Sequence, residues 1–144
     1  MIEVGKVKPD DLTVAWFSIQ PIIEEHGAKW LEEVNMREIF ANAIAQRLDI
    51  WMGTDDNVPD MVGVCCWEQH AHKSYYHILW LGGRNLEKYI DLGLSKVEQY
   101  ASLIGADQVR IGGREGWERV LGPRGYNPVV AVELQKNVKT LWSN

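Results

Sequence analysis

Short apolar runs bounded by polar or glycine-rich segments recur along the chain and predict β-strands. The run Tyr75–Leu81 ends at two glycines and is typical of a buried strand. Near the end of the chain, the alternation of Val130, Val132 and Leu134 predicts a half-buried strand. The predicted strands cover residues 2–7, 49–53, 61–68, 75–81, 108–111 and 127–135.

Apolar residues three or four positions apart predict helices between these strands. Pro9 suits the first turn of the first helix, and Pro21 is expected to kink or divide that helix. Gly105 is expected to cap the longest helix. The predicted helices run from Pro9 to Gly27, from about Asn35 to Leu48, from Leu86 to about Ile104, and from Glu115 to Leu121.

The resulting order is β-α-α-β-β-β-α-β-α-β, which predicts an α/β fold. Short polar turns connect the three central strands, so we expect an antiparallel meander, followed by a right-handed parallel crossover through the long helix. The sheet is therefore expected to be mixed and mostly antiparallel, with helices on both faces. Because the chain has 144 residues, 46% of them hydrophobic, we expect one domain over residues 1–144.

Composition narrows the classes of function. The formal net charge of −5 does not favour a nucleic-acid-binding domain, for which a basic balance is expected. No apolar run is long enough to cross a bilayer, and the first residues lack the apolar core of a signal peptide. A cytoplasmic protein without a membrane partner is therefore expected.

The element order resembles that of the GNAT superfamily of acyl-CoA-dependent N-acyltransferases. Three local sequences resemble a variant found in phage-encoded GNAT-like proteins: Leu81–Arg84 (Leu-Gly-Gly-Arg), Gly113–Trp117 (Gly-Arg-Glu-Gly-Trp) and Gly125-Tyr126. The resemblance implies that the fourth and fifth strands start parallel and splay apart. It also implies acetyl-CoA as the cofactor, with its pantetheine arm in the notch between these strands.

The resemblance further implies which residues hold the cofactor. A backbone N–H of the fourth strand, between Trp80 and Gly82, would hold the developing oxyanion. The pyrophosphate would bind backbone amides at the start of the long helix, where Arg84 adds a guanidinium. Arg114 stands where the family usually has Asn. The expected cofactor-binding residues are Trp80, Leu81, Gly82, Gly83, Arg84, Asn85 and Arg114.

Two positions depart from the family pattern. The first turn of the predicted long helix, Leu86–Ile90, lacks the two spaced glycines that most members carry there. Leu121 occupies the position of the tyrosine that usually protonates the leaving thiolate, which makes Tyr126 a substitute acid. Tyr126 is equally interpreted as a structural tyrosine with a buried ring and a solvated hydroxyl.

Other side chains suggest acid–base or metal chemistry. Glu68, at the end of the third strand, is a candidate general base for an amine, or else a solvated acid where the strand emerges. His70 and His72 would share a strand face, with His77 across the hairpin. Because no acid or cysteine pattern with zinc spacing accompanies them, we expect an exposed hairpin tip and no metal.

Two hypotheses for the function follow. The first is an acetyl-CoA-dependent N-acetyltransferase with a degenerate site, acting on a small-molecule or protein amine. The second is a catalytically inactive GNAT-fold protein with a structural or interaction role. As a bacteriophage virion or morphogenesis component, such a protein would associate with itself or with other virion proteins, in the host cytoplasm or in the virion.

Overall fold

The computed structural model describes residues 1–112 and 117–128, and for Glu118 only the backbone. The chain divides into two compact units, residues 1–113 and residues 114–144. The motif residues 113–116, including Arg114, lie outside the described residues. So does the strand predicted over residues 127–135, from residue 129 onward.

The first unit contains a five-stranded sheet and three α-helices. The strands are β1 (Ile2–Lys6), β2 (Asp49–Asp55), β3 (Val58–Gln69), β4 (Ser74–Gly83) and β5 (Gln108–Ile111). The helices are α1 (Leu12–His26), α2 (Met36–Ile44) and α3 (Ile90–Leu103). In the second unit, α4 spans Trp117–Leu121. Single 3₁₀ turns lie at Pro9–Asp11, Trp30–Glu32, Leu86–Lys88 and Gly122–Arg124.

The strands lie in the sheet in the same order as in the sequence. Each pairs antiparallel with the next from β1 to β4, and β5 pairs parallel with β4 after the crossover through α3. The predicted meander, the parallel fifth strand and the mixed α/β sheet are therefore confirmed.

The ends of two helices differ from the prediction. Helix α2 is capped by Asn35, whose side chain accepts a hydrogen bond of 2.8 Å from the Arg37 amide, but it ends at Ile44 and not at Leu48. A positive φ of 61° at Gln46 is incompatible with further helix. Pro21 lies inside α1 without dividing it.

Helix α3 begins at Ile90, not at Leu86. Asn85 has left-handed backbone angles, and the 3₁₀ turn that follows brings Lys88 and Tyr89 towards the β2–β3 turn region. There Lys88 Nζ lies 2.7 Å from Asp55, and the Tyr89 hydroxyl donates to Asp60 at 3.0 Å. These tertiary contacts favour a 3₁₀ turn at the position where the sequence pattern predicts the first turn of the α-helix.

The sheet carries helices on both faces, as predicted. On one face, apolar residues of α1 and α2 form a core with Ile50, Val62 and Val64 of the sheet. Because side chains alternate along a strand, the neighbouring residues face α3 instead. On that second face, Trp51, Met61, Cys65 and Ile78 line a small cavity together with Ile90, Leu94 and Val97 of α3. The helices of the described residues include none that is long and apolar enough to span a bilayer.

A buried hydrogen-bond chain fixes the middle of the sheet under α3. Trp51 Nε1 donates to the Tyr76 hydroxyl at 2.9 Å, and that hydroxyl donates to Asp49 Oδ2 at 2.6 Å. Burial raises the pKa of Tyr76 far above its ordinary value, so the phenol stays protonated and keeps donating. Tyr76 is wholly inaccessible to solvent, and its hydroxyl links β4 to Trp51 and Asp49 of β2.

The end of β4 approaches β3 so closely that it requires a glycine. Gly83 has a φ of 149°, in the region that favours glycine, and pairs with Met61. A Cβ there would collide with the carbonyl oxygen of Asp60 and would lie 2.7 Å from the Met61 Cα. Both are backbone atoms, so a side-chain rotation cannot relieve the collision.

We therefore expect Gly83→Ala to lower the free energy of unfolding by more than about 1 kcal/mol, because an alanine here combines an unfavourable φ with a backbone clash. Urea denaturation followed by circular dichroism measures this. Gly5→Ala is the matched control, since a Cβ at Gly5 meets no atom within 4 Å. Equal stability of the two variants would contradict the expectation.

Candidate active site

Strand β4 extends beyond the end of its parallel neighbour β5. Strand β4 pairs with β3 along its whole length, from Ser74 to Gly83. It pairs with β5 only from Tyr75 to Ile78. From Leu79 onward, no strand of the described residues occupies the β5 side of β4. Strand β5 pairs with β4 over its whole length, Gln108–Ile111, so the predicted parallel start of the two strands is confirmed, and β4 continues beyond the end of β5.

A β-bulge in β4 lies directly after the last residue that pairs with β5. Val64 of β3 pairs with Trp80, and its neighbour Cys65 pairs with Ile78, so Leu79 is an extra residue on β4. The extra residue of a bulge is left out of the ladder, and the strand bends there. The backbone of Leu79 is thus left out of the ladder with β3 at the point where β5 ends.

Polar side chains gather on the α1/α2 face of the sheet, beside the last pairs of β4 and β5. Tyr75 and His77 are two residues apart on β4 and therefore share a face. Tyr75 lies opposite Glu68 of β3, and His77 lies opposite Arg110 of β5. We call Glu68, His70, Tyr75, His77 and Arg110 the polar cluster.

Glu68 is the centre of the polar cluster. Its Oε1 lies 2.6 Å from His77 Nδ1, and its Oε2 lies 3.6 Å from His70 Nε2. The hydrogen bond with His77, with help from His70 and the charge of Arg110, lowers the pKa of Glu68 below its ordinary value. Arg110 also stacks on Tyr75, with its Cζ 4.0 Å from the ring centroid. Glu68 is thus an ionised hydrogen-bond acceptor.

The two nitrogens of the His77 ring have different surroundings. Because an ionised carboxylate can only accept, Nδ1 carries a proton and donates it to Glu68. No hydrogen bond ends on Nε2 within residues 1–112 and 117–128. This nitrogen lies towards Gly112, just after β5, where a Cβ would be 3.8 Å from it.

The three histidines of the sequence pattern do not converge. His72 is exposed at the β3–β4 turn, while His70 and His77 both contact Glu68. In the part of the chain that the structure describes, no group of three or more His, Cys, Asp or Glu side chains is arranged to hold a metal ion.

The turn between β4 and α3 holds some of the amides expected to bind phosphate. The Arg84 amide donates to the Asp60 carbonyl at 2.9 Å and is therefore engaged within the protein. The amides of Asn85 and Leu86 donate to no backbone carbonyl in the described ranges. The Arg84 guanidinium is exposed and lies 3.1 Å from Glu25 Oε2. Two amides and one exposed cation thus fit an anion at this turn.

Trp80 and Leu81 offer backbone to the notch, because their side chains pack elsewhere. The Trp80 ring stacks on Trp30 with centroids 5.6 Å apart. Gly82 makes room for that ring, since a Cβ there would lie 2.5 Å from Trp80 Cζ2. Leu81 lines the cavity under α3. The glycine pair therefore has packing roles that the sequence pattern does not reveal.

Tyr126 belongs to the second unit and is half-buried there. Its amide donates to the Leu121 carbonyl at 3.2 Å, through the 3₁₀ turn that follows α4. Leu121 ends α4 and stands at the position where the family pattern has the tyrosine that protonates the leaving thiolate.

The pairing of Glu68 with His77 was not anticipated from the sequence. These residues are nine positions apart and meet only in the register that aligns Cys66 with His77. The sequence signal that could have found them is the shared face of two polar residues on neighbouring strands, each next to an apolar neighbour. Its use requires the hairpin register, which the apolar pattern leaves open.

Comparison with known proteins identifies the architecture. No protein-family model matches the sequence, and no curated protein matches it. Solved structures do match over nearly the whole chain. A GCN5-related N-acetyltransferase from Ralstonia eutropha is 14% identical, with a TM-score of 0.68, and the match covers 96% of this chain and 99% of that one.

Two further structures carry ligands. A predicted acetyltransferase from Clostridium acetobutylicum, solved with acetyl-CoA, is 15% identical with a TM-score of 0.65, covering 94% of this chain and 96% of that one. An aminoglycoside acetyltransferase from an uncultured soil metagenomic sample, in complex with sisomicin, is 12% identical with a TM-score of 0.62; the coverage is 97% and 96%. The parallel pairing of β4 with β5 in a mixed sheet, the two helical layers and these similarities together show that the chain has the GNAT fold.

Proposed function

We propose that this protein is an acyl-CoA-dependent N-acetyltransferase. The observation that carries the proposal is the stretch of β4 after Ile78, which extends beyond the end of β5 and contains the bulge at Leu79. An extended amide-containing chain such as pantetheine can bond to an open strand edge as another strand would. When bound there, acetyl-CoA supplies the acetyl thioester that an amine attacks.

The protein's own groups divide the work. The backbone of β4 between Leu79 and Gly82 holds the pantetheine and supplies an N–H for the oxyanion. The Asn85 and Leu86 amides and the Arg84 side chain hold the phosphates, and Arg114 is a further proposed cofactor contact. The polar cluster accepts the proton of the amine, and Tyr126 protonates the leaving thiolate.

The acceptor is proposed to be a primary amine of a small molecule. An aminoglycoside bound to a protein of the same fold supports a polyamine-like substrate. The ionised carboxylate of Glu68 supports this too, because it is a hydrogen-bond acceptor for an ammonium group within the polar cluster.

A catalytically inactive GNAT-fold protein, such as a virion component, is the competing proposal. Leu121 cannot act as an acid, and the Arg84 amide is engaged with Asp60. Glu87 and Asp91 add negative charge around the start of α3, where phosphates would bind. Binding of acetyl-CoA decides between the two proposals.

We expect acetyl-CoA to raise the Tm of the protein. At about one hundred times its Kd, a ligand specific for the folded state stabilises it by about 2.7 kcal/mol. Differential scanning fluorimetry with acetyl-CoA measures this. No change of Tm at millimolar acetyl-CoA would refute the enzyme proposal and leave the inactive protein.

We expect Arg84→Ala to weaken acetyl-CoA binding by about 1 kcal/mol, roughly fivefold in Kd, since an exposed ion pair with phosphate contributes little more. Isothermal titration calorimetry provides the Kd. Arg37→Ala on α2 removes an exposed arginine away from the β4–α3 turn and serves as the control. Equal affinities of the two variants would exclude a phosphate contact by Arg84.

We expect Tyr126→Phe to lower kcat about a hundredfold, within the range for loss of a general acid, while the Kd for acetyl-CoA is retained. Product formation from sisomicin, measured by mass spectrometry, gives the rate. Tyr100→Phe is the matched control, because Tyr100 is a half-buried tyrosine of α3 outside the polar cluster. An unchanged kcat in Tyr126→Phe would exclude Tyr126 as the acid.

A further inference from the structure

The His77 side chain combines one fixed nitrogen with one available nitrogen. Nδ1 is held by Glu68 Oε1 at 2.6 Å, and the side chain is only 22% exposed, so the ring cannot turn freely. The hydrogen bond of one ring nitrogen decides the protonation of the other. With its proton on Nδ1, the neutral ring keeps an electron pair on Nε2.

His77 lies next to the end of the β4–β5 pairing. His77 is one residue before Ile78, the last residue of β4 that pairs with β5, and two before the bulge residue Leu79. On the β5 side, Nε2 has Gly112 as its neighbour. Gly112 has no side chain to cover Nε2, whereas a larger residue at this position would place atoms in contact with it.

We propose that His77 is the catalytic base that takes the proton from the amine acceptor, with Glu68 as its positioning residue. The assignment rests on the proposed acetyltransferase function. It replaces the interpretation of Glu68 as the base, and it makes a primary ammonium group the form of substrate that the polar cluster receives.

The proton transfer is balanced within the site. One N–H bond of the substrate ammonium breaks, its electron pair stays on the amine nitrogen, and the proton bonds to Nε2 of His77. The imidazole becomes an imidazolium whose charge the Glu68 carboxylate stabilises through Nδ1. The neutral amine then holds the electron pair that attack on an acyl carbon requires.

Glu68 itself is poorly placed to be the base. Its Oε1 is already bonded to His77, and its Oε2 lies 3.6 Å from His70. The lowered pKa of Glu68 also makes the carboxylate a weaker proton acceptor than an ordinary glutamate. His70 is the other imidazole in contact with Glu68, and its ring packs edge-on against Tyr75, but it lies farther from the carboxylate and is 54% exposed.

The first experiment compares kcat and KM of His77→Gln and His72→Gln with those of the wild type. His72 is an exposed histidine of the hairpin turn and provides the matched control. We expect His77→Gln to lose about 10²- to 10⁴-fold in kcat, the usual contribution of a general base, with the KM for acetyl-CoA unchanged. His72→Gln should keep the wild-type rate. Mass spectrometry of acetylated sisomicin and spermine provides the rates.

The second experiment determines the tautomer of His77 and needs no acetyl-CoA. Long-range ¹H–¹⁵N NMR spectra of the free protein should show Nδ1 protonated and Nε2 unprotonated in the neutral ring. Glu68→Ala removes the acceptor at Nδ1, so the proton should move partly to Nε2 and kcat should fall. Circular dichroism melting curves show whether each variant is folded.

The outcomes separate this inference from the function on which it rests. If the wild type transfers no acetyl group to either amine and binds no acetyl-CoA, the proposed function fails and the role of His77 fails with it. If the wild type is active and folded His77→Gln keeps its kcat, only the assignment to His77 is overturned. A wild-type ring protonated on Nε2 also overturns it, whatever the activity.

Discussion

The unequal pairing of β4 with its two neighbours is the constraint on which the candidate site depends. Strand β3 holds β4 over its full length, so β4 stays extended after β5 has ended. Among the described residues, no strand pairs with β4 on the β5 side beyond Ile78, while β3 pairs with it on the other side except at the bulge residue Leu79. Such an edge would be a liability in most sheets, and a ligand that completes the ladder converts it into a binding site.

Two hydrophobic layers hold this strand rigid from opposite sides. Tyr76 and Ile78 are buried towards α3, whereas Trp80 stacks on Trp30 on the α1/α2 side. His77 lies between these anchored residues, with its own face turned to the polar cluster. A reactive group performs best on a rigid element whose neighbours fix its orientation. The bonded chain from Trp51 through Tyr76 to Asp49 contributes to that rigidity.

Much of the fold was predictable because it depends on local periodicity. Apolar runs located all five described strands, and the long helix between two of them required a parallel pair. The start of α3 was wrong because tertiary contacts decided it. Lys88 and Tyr89 bond to Asp55 and Asp60, and these bonds favour a 3₁₀ turn over the helical turn that the pattern allows.

The candidate site was predictable only in part, because it depends on register. The expected notch and its position at the end of β4 follow from the resemblance of the element order to the GNAT superfamily. The contact between Glu68 and His77 follows from which residues face each other across a hairpin that contains a bulge. A displacement by one residue would turn His77 to the other face of the sheet, and no apolar pattern specifies where a bulge falls.

The close approach at Gly83 affects how such proteins can be recognised. The glycine is required by the backbone of Asp60 and Met61, so a protein with this strand ending needs it whether or not the protein binds a ligand. The Leu-Gly-Gly-Arg sequence thus reflects the close packing of the end of β4 against β3. A survey meant to separate active from inactive members would gain more from the residues opposite each other near Ile78 than from this motif.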